Sequence, residues 1–293
     1  MMQKLKRFLK EKVKNRLRPM IEGIGIHHNP FITGKFFPLN TTTTDYIVRL
    51  ENSSDEILPV PPKELWEGYA ETAEEYLECG RNDIATLLTI LGKTGESSQT
   101  LTKVLDLGCA AGRMLRHYPS VKGTELWGSD INAKHINWCQ QCFGEPFFFV
   151  TNSTSPHLPF EDNYFDLVYC GSVFTHITDM SDAWFLEIKR ILRRGGYAYI
   201  TIHDQHTLDV MFNKYKDHPL FQEFNADVRQ FYDKHVIGAD GYAYFTMHSD
   251  PISQVFYNRD FLLKKWSRFA NVISINPEAH DHQTAILLQK PLS

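Results

Sequence analysis

KVLDLGCAAGR, residues 103–113, joins a short apolar run to an acid and then to a turn of glycines and alanines. Val104, Leu105 and Leu107 suit a strand buried on both faces, and Gly108, Cys109, Ala110, Ala111 and Gly112 are too small to block a ligand. The stretch therefore predicts a strand-to-helix elbow with exposed backbone. A dinucleotide fingerprint, G-x-G-x-x-G, does not fit, because Arg113 stands where its third glycine belongs.

Working outward, the pattern of strand and helix repeats. Glu125 to Asp130 reads as a second strand ending in an acid, Ala133 to Cys142 as its helix, and Pro146 to Val150 as a third strand ended by Thr151, Asn152 and Ser153. Within LPFEDNYFDLVYCGSVFTHI, residues 158–177, Asp162 and Asn163 make a turn and Phe165 to Cys170 a buried fourth strand. Gly171 and Ser172 then let the chain bend over a ligand. A helix from Ala183 to Leu192 ends in Arg193, Arg194, Gly195 and Gly196, read as a cationic last turn and glycine cap, before a fifth strand from Tyr197 to Ile202. Asp130, at the end of the second strand, is placed to accept both ribose hydroxyls of a nucleoside, or to cap the next helix.

From Val104 to Asp204 the sequence resembles the core of class I S-adenosylmethionine-dependent methyltransferases, whose first motif is an acid followed by alternating glycines, here Asp106, Gly108, Ala110 and Gly112. LPVPP, GCAAGR, SDIN, SVFTHI and QTAILLQK together are similar to a bacterial subgroup associated with glycans and natural products. The resemblance implies a Rossmann-like α/β fold with a seven-stranded sheet in the order 3-2-1-4-5-7-6, the last strand antiparallel, and helices on both faces. It implies S-adenosylmethionine as cofactor and S-adenosylhomocysteine as product. Gly108, Cys109, Ala110 and Gly112 would pass the methionine part, Asp106 would lie near its ammonium, and Asp130 on the ribose. Ile131 and Asn152 would flank the adenine, with Gly171 and Ser172 near the transferring methyl. Arg113 either holds the cofactor carboxylate or faces solvent. Ala110, replacing the middle glycine, is expected to keep a negative backbone φ.

Methyl transfer is an in-line displacement that asks mainly for alignment and a dry pocket. A hydroxyl or amine acceptor must also lose a proton. His176, following the fourth strand, is the first candidate base, then His203 and Asp204 at the end of the fifth, then His206; each has a structural reading beside the catalytic one. His280, Asp281 and His282 form a polar loop before the last strand that could bend towards the pocket. No metal site is expected.

On the N-terminal side, Glu64 to Glu78 and Asn82 to Leu91 read as two helices, with Gly80 as the cap between them. Trp66, Tyr69 and Tyr76 line either a substrate mouth or the core. Beyond His203, residues 206–250 read as a cap insertion, with helical pieces at Leu208 to Tyr215 and Gln222 to His235. Asn258 to Phe269 is a helix, and Asn271 to Ile275 and Gln283 to Lys290 are the sixth and seventh strands. The organisation is thus a helix at 1–20, an irregular arm at 21–62 with a possible strand at Tyr46 to Leu50, and a methyltransferase-like domain at 63–293.

The chain of 293 residues, 42% apolar, can bury a large core. Five scattered cysteines argue against a disulfide framework, and the lone pair Cys139 and Cys142 lacks a second pair for zinc. Without an apolar run of ~20 residues or a leader, a cytoplasmic protein is expected. Residues 1–18 hold eight Lys and Arg and one Glu, a net +7, so the remaining residues total −11 of the overall −4. That acidic body, and the absence of an Asn/Asp-Pro-Pro-Tyr-type motif after the fourth strand, disfavour nucleic acid. The expected acceptor is a small molecule or a sugar- or lipid-linked one. The basic N-terminal helix either lies on an anionic membrane, meets a partner or docks on its own domain. A catalytically silent scaffold tethered through that helix is the competing function.

Overall fold

The computed structural model describes residues 58–216, 222–236, 241–248 and 253–292. The basic helix expected at 1–20, the possible strand at 46–50 and nearly all of the arm lie outside them. The elements begin with α1 (Ala73–Gly92), β1 (Lys103–Leu107), β2 (Glu125–Asp130), α2 (Ala133–Cys142), β3 (Phe147–Thr151), β4 (Phe165–Cys170), α3 (Ser181–Ile191) and β5 (Leu192–Ile202). They continue with α4 (Gln205–Asp209), which runs into a π turn (Val210–Lys214), α5 (Gln222–His235), β6 (Tyr244–His248), β7 (Ser253–Tyr257), α6 (Arg259–Trp266), β8 (Asn271–His280) and β9 (Gln283–Gln289).

Seven strands form one sheet in the order β3-β2-β1-β4-β5-β9-β8, with β6 and β7 a separate antiparallel pair. Strands β1 to β5 are parallel, and β9 runs antiparallel to both β5 and β8. Setting aside the inserted pair, this is the expected 3-2-1-4-5-7-6 arrangement. The near-continuous apolar strands are explained by two cores. Leu105, Val168, Ile200 and Ile286 pack on one face with Phe185, Ile188 and Trp266, while Val104, Leu167, Tyr169 and Leu287 pack on the other with Ile84, Leu87 and Leu91 of α1. Residues 208–256 build a small core of their own from Leu208, Met211, Val228, Phe245 and Phe256. Among the described residues no helix is long and apolar enough to cross a membrane.

Several boundaries differ from the sequence reading, each for a local reason. The two helices expected before the core are one: Thr72 and Glu75 form a capping box that starts α1, and Gly80 lies buried in its interior instead of ending it. Ahead of α1, the prolines lead only into a 3-10 turn, Lys63–Leu65. The helix expected after the elbow shrinks to another, Leu115–His117, because Pro119 pushes Tyr118 into an extended conformation. Arg193 to Gly196 open β5 rather than cap α3, which ends at Ile191; a Cβ on Gly196 would lie 2.9–3.1 Å from the carbonyls of Arg193, Asp166 and Phe165. The strands β6 and β7 were not anticipated. Finally, β8 extends to His280, and Asp281 with φ 52° turns the chain into β9, so the expected polar loop is a tight hairpin.

Gly80 is needed for close approach: a Cβ there would stand 2.1 Å from the carbonyl oxygen of Arg113. In an open helix interior, Gly→Ala adds about 1 kcal/mol of stability. Gly80→Ala should instead cost more than about 2 kcal/mol by forcing α1 off the elbow, measured as a lowered midpoint in urea unfolding.

Candidate functional site

The elbow that follows β1 is held in an alternating backbone: Gly108, Ala110 and Gly112 all take positive φ, at 81°, 45° and 75°. Ala110 therefore does adopt the left-handed conformation that its side chain was expected to avoid. Two contacts hold it there. The amides of Gly108 and Cys109 both donate to the carbonyl of Ser129, and the Ala110 amide donates to Oδ2 of Asp130 at 2.8 Å. Gly108 and Gly112 are also confined by packing, since a Cβ would lie 2.3 Å from Val173 Cγ2 or 2.8 Å from the Phe143 ring.

Above this backbone lies a small cleft open to solvent. Its floor is Asp106, Gly108, Cys109, Ala110 and Gly171; its walls are Arg113, Met114, Leu65, Trp66, Tyr69 and Tyr76. Trp66 is anchored by donating to the Pro61 carbonyl and stacks on Tyr76 at 5.3 Å. Trp66 and Tyr69 ahead of α1 and Tyr76 within it thus wall the cleft, Trp66 and Tyr76 also being buried, whereas nothing from 206–250 lines it among the described residues.

Asp106 is 3% exposed and makes no ion pair among the described residues. Burial pushes its carboxyl up to about 7, against the lowering influence of the Tyr169 hydroxyl and of Arg113, with the like charge of Asp130 adding to the rise. A buried acid on a cleft floor without a cation suits a ligand that brings one. Asp130 is also raised by burial, which outweighs the amides of Asn132 and Ala110 that it accepts, one on each oxygen. Each of its oxygens keeps a lone pair for a further donor.

Arg113 is neither at the surface nor unpaired. It is 5% exposed, donates from Nη1 to Asp83 Oδ2 at 2.6 Å, and stacks its guanidinium 3.9 Å from the Tyr69 ring centre. Asp83 was not singled out in the sequence because it reads there as an ordinary exposed acid of a helix. Its other oxygen faces His280 Nδ1 at 3.3 Å. Burial opposes its charge, yet His280 and Arg113 together hold its carboxyl below the ordinary range.

The remaining sequence candidates fall into two groups. Gly171 reaches the cleft, and Ser172 beside it takes φ 58°. The Ser172 hydroxyl accepts from Gln283 and its amide donates to Thr201, so the side chain is engaged by the sheet. Asn152 accepts from Ser129 Oγ and donates to the Ser153 carbonyl, next to Asp130, and Ile131 is partly exposed there. The base candidates do not line the cleft. His176 Nδ1 pairs with the Ser253 carbonyl of β7, and burial lowers its pKa against that bond. His203 is stacked between Phe256 and His282, and burial drives its pKa well down. Asp204 caps α4 and accepts from Arg259 and Thr284, while His206 meets Glu278. The described residues contain no cluster of three potential metal ligands, and all five cysteines are free thiols.

Comparison with known proteins bears on the core. Residues 105–200 match the methyltransferase domain family. The fold is that of the class I methyltransferases. Over 100 residues the chain is 32% identical to a sterol 24-C-methyltransferase of Schizosaccharomyces pombe, covering 32% of this chain and 26% of that protein. Over 102 residues it is 31% identical to a probable phthiotriol/phenolphthiotriol dimycocerosates methyltransferase of Mycobacterium ulcerans, covering 34% and 39%. The matched region thus spans about a quarter to two-fifths of these relatives. A solved structure from Pyrococcus horikoshii superposes with a TM-score of 0.52 at 17% identity, over 78% of this chain and 99% of that one, which shows the shared fold.

Two outcomes test the strain and the charge. Ala110→Gly should stabilise the protein by about 0.5–1 kcal/mol, left-handed strain relieved exceeding the entropy that glycine loses on folding, read as a higher urea midpoint. For Asp106, a folded pKa of about 7 above the unfolded value means that the native state binds the extra proton. Stability from this group is therefore full below pH ~4 and falls as pH rises through 7. Asp106→Asn should stabilise the protein at pH 8 by on the order of 1–4 kcal/mol, read as a higher urea midpoint, and leave the midpoint nearly unchanged at pH 4.

Proposed function

We propose that the chain transfers a methyl group from S-adenosylmethionine to an oxygen or nitrogen of a small-molecule or sugar- or lipid-linked acceptor, releasing S-adenosylhomocysteine. The observation that carries this reading is the buried carboxyl of Asp106 on the floor of the cleft, without an ion pair among the described residues and one elbow away from the strand-end carboxylate of Asp130. The first suits the ammonium of a methionine moiety and the second the hydroxyls of a ribose. When bound, S-adenosylmethionine supplies a methyl carbon already activated by a sulfonium, so the protein's task is alignment and exclusion of water.

In this reading the backbone of Gly108, Cys109, Ala110 and Gly112 passes the methionine part. Arg113, fixed by Asp83 and Tyr69, presents its remaining guanidinium donors to the carboxylate. Ile131 and Asn152 flank the adenine, and Gly171 and Ser172 border the methyl. Support for an acceptor with an apolar body comes from Leu65, Trp66, Tyr69 and Tyr76 on the cleft wall and from relatives named for sterol and dimycocerosate substrates.

Titration calorimetry with S-adenosylhomocysteine tests the proposal. The wild type should bind, and Asp130→Ala should weaken binding at least about 10-fold, the loss of a bidentate acceptor for two hydroxyls. Binding should also tighten between pH 6 and 8 as Asp106 becomes ionised in the free protein. A wild type that does not bind, or undiminished affinity in Asp130→Ala, overturns it.

A further inference from the structure

Three groups from distant parts of the chain meet beside the elbow: Arg113 behind it, Asp83 on α1 and His280 at the end of β8. Asp83 sits between the other two, taking Arg113 Nη1 on Oδ2 at 2.6 Å and facing His280 Nδ1 with Oδ1 at 3.3 Å. His280 is 3% exposed, and its ring lies directly over Gly171 on the cleft floor. A Cβ on Gly171 would stand 3.0 Å from His280 Cε1 and 3.3 Å from Nε2. The Tyr69 ring, from the opposite wall, is edge-on to the imidazole at 6.4 Å between centres. Nδ1 faces the carboxylate without completing a hydrogen bond to it, and among the described residues Nε2 has no hydrogen-bond partner either.

That arrangement has a chemical consequence. A carboxylate 3.3 Å from Nδ1 favours the tautomer with the proton on that nitrogen and leaves Nε2 as the basic one. Because Arg113 fixes Asp83 from behind, and the Asp281 turn ties β8 to β9, the ring has little freedom to swing away. Gly171, which lines the cleft, has no side chain to stand between the cleft and the imidazole behind it, a role that is not visible from its place after β4.

Resting on the methyltransferase reading, we propose that His280, oriented by Asp83 and Arg113, is the proton acceptor for a hydroxyl or amine substrate in this cleft. As the acceptor's oxygen or nitrogen bonds to the methyl carbon, the carbon–sulfur bond breaks and its electron pair stays on sulfur. The acceptor's proton passes to Nε2, making an imidazolium paired with Asp83, and leaves to water after product release. Asp83 is a positioning residue. A hydroxyl or amine acceptor, rather than a carbon or an already ionised carboxylate, is the substrate class that needs such a group.

The test uses the full-length protein with ring-¹⁵N histidine, its His280 signals assigned by through-bond correlation to the backbone. In the complex with S-adenosylhomocysteine at pH 8, Nδ1 should carry the proton and Nε2 should show the shift of an unprotonated nitrogen. Replacing that ligand by S-adenosylmethionine adds a methyl group and a positive charge, and the His280 Nε2 resonance should move between the two complexes. Asp83→Asn should move the proton to Nε2, read in the ligand-free protein. An Nε2–H tautomer in the wild type, or an Nε2 resonance identical in the two complexes, overturns the role of His280. Failure of the wild type to bind either ligand would instead overturn the methyltransferase reading.

Discussion

The site depends on one constraint, the alternation of left-handed residues through 108, 110 and 112 at the end of β1. That backbone cannot be regular, so its amides need partners outside a helix or a ladder. The Ser129 carbonyl takes two of them and the Asp130 carboxylate a third, so β2 holds the elbow that β1 begins. The Ala110 side chain makes the turn costlier than glycine would, and strain of this kind persists where surrounding contacts over-determine it. Here the result is a stretch of bare peptide facing a cleft, with acids at either side.

Packing turns that local device into a site. α1 comes so close to the elbow that only a hydrogen fits at Gly80, and this brings Asp83 within reach of Arg113. Because the elbow is followed by little helix, α1 and the 3-10 turns share the layer that a longer crossover helix would occupy. On the other side, the bulged end of β8 places His280 against Gly171. The cleft is therefore bordered by groups whose charges are distributed unevenly: Arg113 is matched by Asp83, while Asp106 is buried without an ion pair among the described residues. Such an uncompensated carboxyl lowers the stability of the empty protein above neutral pH and is a mark of ligand binding more than of fold maintenance.

What could be read from the residues was what local rules encode. The helices Ala133–Cys142 and Gln222–His235 and the strands Glu125–Asp130 and Phe165–Cys170 follow from hydrophobic periodicity and turn residues that act over a few positions. Asp106, Gly108, Gly112 and Asp130 were legible because their chemistry is tied to the ends of those strands. Gly80 was misread for a related reason: a mid-helix glycine and a terminal one carry the same local signal, and the difference lies in Arg113, 33 residues on. The β6–β7 pair was missed because its strands are short, polar on one side and set in a stretch whose own small core does not follow the sheet's pattern.

The sequence by itself determined the class of fold, the strand order through the resemblance of its motifs, and the elbow with its two acids, because each is written in residues close together along the chain. Only the tertiary structure decided that Ala110 is left-handed, that Arg113 is buried against Asp83 and Tyr69, and that His280 reaches Gly171 from about 110 residues away. Those meetings are set by how helix and sheet layers pack, a property of shape and volume that no periodicity along the chain records.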